Sequence, residues 1–344
     1  MRISRYLHTL SRQKSIPSQK NLYSKHIHRV ISNGVALIGV PMSCGQPLQG
    51  TENGVNIVRE RGLFGMISEL GYKVEDTGDL NIIGTQEDDL ISYSKCDRII
   101  KNAWSVSQVN YDIFKRSCAL HKKDQMPIVI GGDHSIAIGS VAAALHKDPD
   151  VGVLWIDAHA DIHTPESSPS MNMHGMPLSF LMNITDTQKI KGFEWLYNYN
   201  VPTLFSEKLV YIGLRDVDKE ERVILKNMGI TAFTMHEIDK FGIAKVMELA
   251  LSQLCHSPNI NLHVSFDIDA VCPTVAPATG TTVPGGLSFR EANYITECVA
   301  ETGALRSLDM VEVNPNLNKV NGDAIRTADM ANMLIASLLG DTIL

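Results

Sequence analysis

The chain has 344 residues, 44% hydrophobic and 20% charged, the composition of an ordinary folded protein with enough apolar material for a large core. No apolar run approaches the roughly 20 residues that a membrane-spanning helix needs, so no membrane role is expected. Seven Lys and Arg precede the first acidic residue, Glu52; beyond them 24 basic residues face 38 acidic ones, a net charge of −14, which disfavours a nucleic-acid partner and suits a small cationic substrate.

Residues 1–33 read as a leader. Arg2, Arg5 and Arg12 occupy one side of a helical pattern whose other side carries Ile3, Tyr6, Leu7 and Leu10. An amphipathic, Arg- and Ser-bearing, acid-free start has the pattern of a mitochondrial transit peptide, a basic tail being the bland alternative. Mitochondrial localisation is therefore expected, with the cytoplasm otherwise. Six scattered cysteines have neither metal nor disulfide-framework spacing and read as reduced thiols.

Residues 34–40 form a first predicted strand, entering a Gly/Pro loop that lasts to residue 54. Helical periodicity covers 55–70, a second strand 72–78, a polar loop 80–93 and a long helix 94–122. The strand 127–130 ends in Gly131, Gly132, Asp133, His134 and Ser135, and a helix follows at 137–145. The apolar strand 151–156 discharges into Asp157, His159 and Asp161, and 162–176 is loop. Further strands at 209–214, 260–266 and 306–312 end at Arg215, Asp216 and Asp218, at Asp267 and Asp269, and at Glu312. Helices are expected at 243–254 and 289–301.

Strands alternating with helices predict a single α/β domain over 34–344, with a central parallel sheet and helices on both faces, a three-layer α/β/α arrangement. Its polar residues gather at the C-terminal strand ends, the edge where open α/β sheets bind ligands.

Alternate residues of an extended chain project to one side, so Asp157, His159 and Asp161 can face one point. With His134, Asp267 and Asp269 they make four carboxylates and two imidazoles without a thiolate. That donor set points away from structural zinc and toward Mn2+ or a similar oxygen-tolerant ion. Four carboxylates overbalance one divalent ion, and two ions roughly 3.5–4 Å apart suit them better. Isolated Asp and His residues more often make structural ion pairs, but this grouping after three strands favours metal. Asp133 reads as a partner holding the His134 ring or its loop. The implied chemistry is metal-assisted hydrolysis. His174, on a polar loop, is placed to shuttle protons to a leaving amine. Glu312 is placed to pair with a cationic substrate group, a structural carboxylate beside Arg215 or Arg306 being the alternative.

The runs Gly131–Ser135, Asp157–Asp161 and Ser265–Asp269, joined by residues 213–218, 277–281 and 309–315, resemble the signature motifs of the ureohydrolases, the family of arginases and agmatinases, and the likeness spans about residues 34–340. The resemblance implies two manganese ions per subunit. His134 and Asp161 would bind one, His159 and Asp269 the other, and Asp157 and Asp267 would bridge them. Asp161 would also orient a bridging hydroxide that attacks a guanidinium carbon, Glu312 would hold the guanidinium, His174 would serve the departing amine, and Thr281 would line that end of the pocket.

Ser170 and Asn172, just before His174, match the pair that reads an α-carboxylate in arginases, and Asp218 and Glu221 match contacts to the α-amino group. This implies hydrolysis of L-arginine to L-ornithine and urea, with agmatinase or another guanidino-compound hydrolase as the rival and a catalytically silent oligomeric regulator as a third possibility. His163 stands where many arginases carry an Asn, Met171 where they carry a small residue, and Cys272 where they carry a further Asp. His163 is expected still to hydrogen-bond the carboxylate. Arg326, near the interface arginine of trimeric relatives, suggests a homotrimer or homohexamer.

Overall fold

The computed structural model describes residues 34–82, 91–93, 98–257, 260–317 and 320–342. The leader, with its expected transit helix, lies outside them.

Eight short strands, the six inner ones buried, stack side by side: β1 (Val35–Gly39), β2 (Val74–Asp79), β5 (Met126–Ile130), β6 (Gly152–Ile156), β7 (Leu209–Leu214), β8 (Thr231–Thr234), β9 (Leu262–Asp267) and β10 (Leu305–Val311). Their order is β2-β1-β5-β10-β9-β6-β7-β8, and every neighbouring pair is parallel. A parallel sheet needs cover on both faces, and alternation supplies it. Val35, Leu37, Ile128, Ile130, Leu154 and Ile156 point into one apolar layer; Ala36, Ile38, Val129, Val153 and Trp155 point into the other.

The first layer is closed by α1 (Gly54–Glu60), α2 (Leu63–Glu69), α8 (Met235–Phe241), α9 (Ile243–Leu254), α10 (Phe289–Thr302) and α11 (Asp323–Leu338). On the opposite face lie α3 (Ala103–Lys122), α4 (Ala137–Lys147), α5 (Pro177–Leu181) and α6 (Glu194–Asn198), with α7 (Lys219–Met228) packed at its margin. This is the α/β/α arrangement expected. No helix among the described residues is long and apolar enough to cross a membrane.

Local departures have physical causes. The helix expected over 55–70 is two helices, because Gly62 turns the chain at φ +90° between α1 and α2. The helix expected from 94 begins at Ala103; Arg98–Ile100 is instead β4, which pairs antiparallel with β3 (Ile91–Tyr93) inside the stretch expected to be loop. Ile91, Tyr93 and Ile100 are buried, so burial in a two-stranded ribbon overrides the helical spacing. The edge strand β8 was not expected, and its Thr231 and Thr234 have no apolar alternation to signal it.

The four central strands, β5, β10, β9 and β6, bring their C-terminal ends together although they come from distant parts of the chain. Gly131 makes the first exit possible: it has φ +82°, donates its N–H to the Met310 carbonyl at 2.9 Å, and a Cβ there would lie 2.4 Å from Val55 Cγ2. Only glycine tolerates both the backbone and the contact cheaply. Gly131→Ala is expected to destabilise the fold by about 2 kcal/mol or more, seen as a lower denaturant midpoint with the slope unchanged. An unchanged midpoint would contradict this tight turn.

Candidate metal centre

Strand β6 ends at Ile156, and the next residues deliver Asp157 and Asp161, both buried, and His159, partly buried. Asp161 adopts φ +50°, a left-handed conformation that a non-glycine residue holds only when its surroundings impose it. After β5, Asp133 caps the turn that carries His134. Its carboxylate accepts from Gly45 N, Ser135 N and Ser135 Oγ at 2.9, 3.1 and 2.5 Å, so it holds the loop and not the His134 ring. After β9, Asp267 Oδ1 accepts from Asp269 N at 2.8 Å and sets the direction of both carboxylates.

These loops converge. His134 Nδ1 lies 3.0 Å from Asp157 Oδ2, 3.0 Å from Asp161 Oδ2 and 3.2 Å from Asp267 Oδ2. His159 Nδ1 lies 3.5 Å from Asp157 Oδ1 and 3.1 Å from Asp269 Oδ2. Asp157 thus turns one oxygen to each imidazole, and two ligand groups share it: His134, Asp157 and Asp161, and Asp157, His159 and Asp269.

The orientation of His134 comes from a polar stripe that the motifs did not reveal. His263, Ser265 and Asp267 alternate along β9, and in register beside them on β10 stand Ser307, Asp309 and Val311. Ser265 Oγ donates to Asp309 Oδ1 at 2.5 Å, and His263 Nε2 donates to Asp309 Oδ2 at 3.1 Å. Ser140 of α4 donates to the same carboxylate. Burial opposes the charge on Asp309, but His263 and these donors outweigh it and hold its pKa below the ordinary value. With its proton committed, Ser265 Oγ can only accept from His134 Nε2, at 2.8 Å. A ring proton therefore sits on Nε2, and Nδ1 faces three carboxylates. Burial opposes charge on the ring, but these carboxylates raise its pKa well above its ordinary value by favouring a second proton, or another cation, at that nitrogen. Nδ1 is buried and has no hydrogen-bond partner. Trp155 stacks on the ring with centroids 4.2 Å apart and donates Nε1–H to Asp157 Oδ2 at 2.9 Å.

Nδ1 and three carboxylate oxygens facing one point repel unless a proton or a metal cation lies between them, and two imidazoles with oxygen donors fit divalent metal. The carboxylates satisfy one another poorly. Burial, then the charge on Asp157, pushes Asp161 up to about 7; burial, then Asp269 and Asp157, pushes Asp267 well above its ordinary value.

Above this cluster opens a cleft of about 250 Å³, walled by His159, Asp161, His163, Ser170, His174, Asp218, Glu221, Asp267 and Thr281 among others. Thr281 Oγ1 donates to Asp269 Oδ2 at 2.9 Å. His174 Nδ1 stands 3.8 Å from Glu312 Oε1; burial, then the charges of His159 and His134, lowers its pKa to about 4. Two expected substrate contacts, Glu312 and Asn172, are 2% and 7% exposed and are not among the residues that line the cleft. Glu312, at φ +65°, accepts from Gln46 Nε2 at 2.8 Å and His134 N at 2.9 Å, not from Arg215 or Arg306. Burial, then Asp133, raises its pKa to about 8. Arg215 instead donates to the carbonyls of Asp269, Ala270 and Val283, tying the β7 exit to the β9 exit. Ser170 Oγ accepts from Asn172 N at 3.2 Å across Met171, which sits at φ +60°.

A sequence model of the arginase family matches residues 33–340. The chain belongs to the arginase family. It is 44% identical to the mitochondrial arginase-2 of Bos taurus over 312 residues, 90% of this chain and 86% of that protein. Its fold superposes on the arginase of Bacillus caldovelox with a TM-score of 0.82 at 34% identity, over 91% of this chain and all of the other. It also superposes on the Entamoeba histolytica arginase solved with L-ornithine, with a TM-score of 0.77 at 27% identity, over 90% of this chain and 99% of that one. A member of this family with these buried His and Asp groups is a metal-dependent hydrolase.

Asp267→Ala is expected to lower bound divalent metal below two ions per chain, read by elemental analysis. In the unaltered protein a chelator should lower the thermal midpoint, and metal restored to about 100 times its Kd should return roughly 2.7 kcal/mol per site. Two retained ions in the variant, or a midpoint indifferent to chelator, would contradict the metal reading.

Proposed function

We propose that this arginase hydrolyses L-arginine to L-ornithine and urea at a pair of manganese ions. The observation that carries this reading is the shared carboxylate of Asp157 between His134 and His159, each ring nitrogen facing further carboxylates. His134 and Asp161 would hold one ion and His159 and Asp269 the other, with Asp157 and Asp267 shared between them. The donor set, rich in oxygen and free of thiolate, favours manganese. When bound, such ions supply a nucleophile at neutral pH by bringing the pKa of water from about 15.7 to near 7.

The protein's own groups do the rest. Asp161, fixed in its left-handed conformation, orients the attacking oxygen toward the guanidinium carbon. Glu312 supplies the countercharge: a buried carboxylate with a raised pKa is drawn to the ionised form by an arriving guanidinium. Thr281, bonded to Asp269, lines that end of the pocket. His174, neutral at pH 7 because its pKa is depressed, is placed to accept the proton that the attacking water gives up and to hand it to the departing amine. Ser170 and Asn172 read the α-carboxylate, with His163, Asp218 and Glu221 at the same end. These polar readers favour arginine over agmatine, since a substrate lacking the matching group leaves them unpaired. Ornithine in the Entamoeba arginase supports the same assignment.

The subunit is expected to assemble as a homotrimer or homohexamer. The acid-free leader and the mitochondrial relative support import into mitochondria; a reporter fused to residues 1–33 should enter them, and a cytosolic reporter would overturn this.

The deciding assay offers manganese-loaded protein arginine, agmatine and guanidinobutyrate and measures urea. Urea from arginine is expected. Urea only from the other two would reassign the substrate, and none from any would favour a silent relative. His174→Ala should reduce turnover on the order of 10²–10⁴-fold with metal retained; an unchanged rate would remove it from the chemistry.

A further inference from the structure

His163 shares the cleft wall with Ser170, Asp218 and Glu221 but is only 6% exposed, and both of its ring nitrogens are engaged. Nε2 is 2.9 Å from Asp218 Oδ2 and Nδ1 is 2.9 Å from Ser167 Oγ. An ionised carboxylate has no hydrogen to give, so Nε2 carries the ring proton and donates it to Asp218. Nδ1 must then accept from the Ser167 hydroxyl. Ser167 is itself anchored, since its Oγ accepts from Thr164 N at 3.0 Å and its own N–H donates to the Thr164 carbonyl at 3.0 Å.

The other side of the contact is equally fixed. Asp218 caps α7 in a reciprocal box with Glu221, a geometry that satisfies the first turn of a helix. Glu221 accepts from Asp218 N at 3.1 Å and from Ile162 N at 3.2 Å. The helix start, the residue after Asp161 and the His163 ring therefore form one closed set of contacts. Both ring nitrogens are thus occupied, Nε2 by Asp218 and Nδ1 by Ser167.

We propose that His163 is a latch on Asp218 and the residue that sets how strongly the cleft distinguishes guanidino substrates by their far ends. This rests on the arginine reading above, and it corrects the expectation that His163 hydrogen-bonds the substrate carboxylate. With both ring nitrogens engaged, the ring offers that carboxylate nothing, leaving Ser170 and Asn172 to read it. The missing contact reduces what arginine gains over agmatine, which keeps the ammonium but lacks the carboxylate, so the preference is compressed toward carboxylate-free guanidino amines.

The test compares kcat/KM for arginine with kcat/KM for agmatine, using manganese-loaded protein. His163→Asn removes the ring and introduces an amide with two N–H donors. The arginine-to-agmatine ratio is expected to rise about tenfold to a hundredfold, the worth of one hydrogen bond to a charged group. A ratio that stays the same or falls would overturn the latch. General damage would lower kcat/KM for agmatine as well, so the arginine constant must rise against an agmatine constant that holds. If both constants fall, calorimetric binding of ornithine against putrescine to the same variant gives the second reading, and no rise of that ratio refutes the proposal. Should the unaltered protein release no urea from arginine, the arginine reading fails separately. Calorimetric binding of ornithine against putrescine to the same proteins then decides the latch by the same change of ratio.

Discussion

A histidine nitrogen aimed at three carboxylates is the constraint on which this structure turns. Ser265 and Asp309 fix a ring proton on His134 Nε2, Trp155 leaves its ring no room to tilt, and the exits of β6 and β9 bring the acids within about hydrogen-bond distance of Nδ1. Water cannot relieve that repulsion in a buried site. Divalent cations can, and the attraction they supply compensates for gathering like charges where the dielectric is low.

The sheet exists to make that meeting possible. β5 and β6 follow one another in the chain, yet β10 and β9 lie between them, so loops far apart in sequence reach one edge from four adjacent strands. Two of the seven non-glycine residues with left-handed backbone among the described residues, Asp161 and Glu312, stand at this edge, held there because rigid strands precede them and their neighbours are pinned. Glu312 N–H donates to the Gly132 carbonyl at 3.0 Å while its carboxylate receives His134 N–H, which couples the proposed guanidinium anchor to the metal-ligating loop. A shift in either would be felt by the other.

Much of this was legible in the chain. Asp157, His159 and Asp161 announce themselves by a period of two after a buried strand, and Asp267 and Asp269 do the same. The supporting stripe of His263, Ser265 and Asp309 uses the same period, but each member sits in a strand where a lone polar residue reads as a satisfied core group; only the β9–β10 register pairs them. The His163 latch was illegible for another reason. It depends on Asp218, 55 residues away, and spacing says nothing about which of two possible partners a ring will choose. Gln46, which contacts Glu312 across 266 residues, gives no local signal either. The break at Gly62 and the ribbon of β3 and β4 escaped notice because periodicity blurs over short elements, whereas the long buried strands did not.

Anomalous diffraction at the manganese edge, from crystals grown with Mn2+, tests the shared-carboxylate centre most directly. Two peaks are expected roughly 3.5–4 Å apart, one beside His134 Nδ1 and one beside His159 Nδ1, with Asp157 reaching both. A single peak, or density only at residues remote from His134 and His159, would contradict a binuclear centre held by these loops.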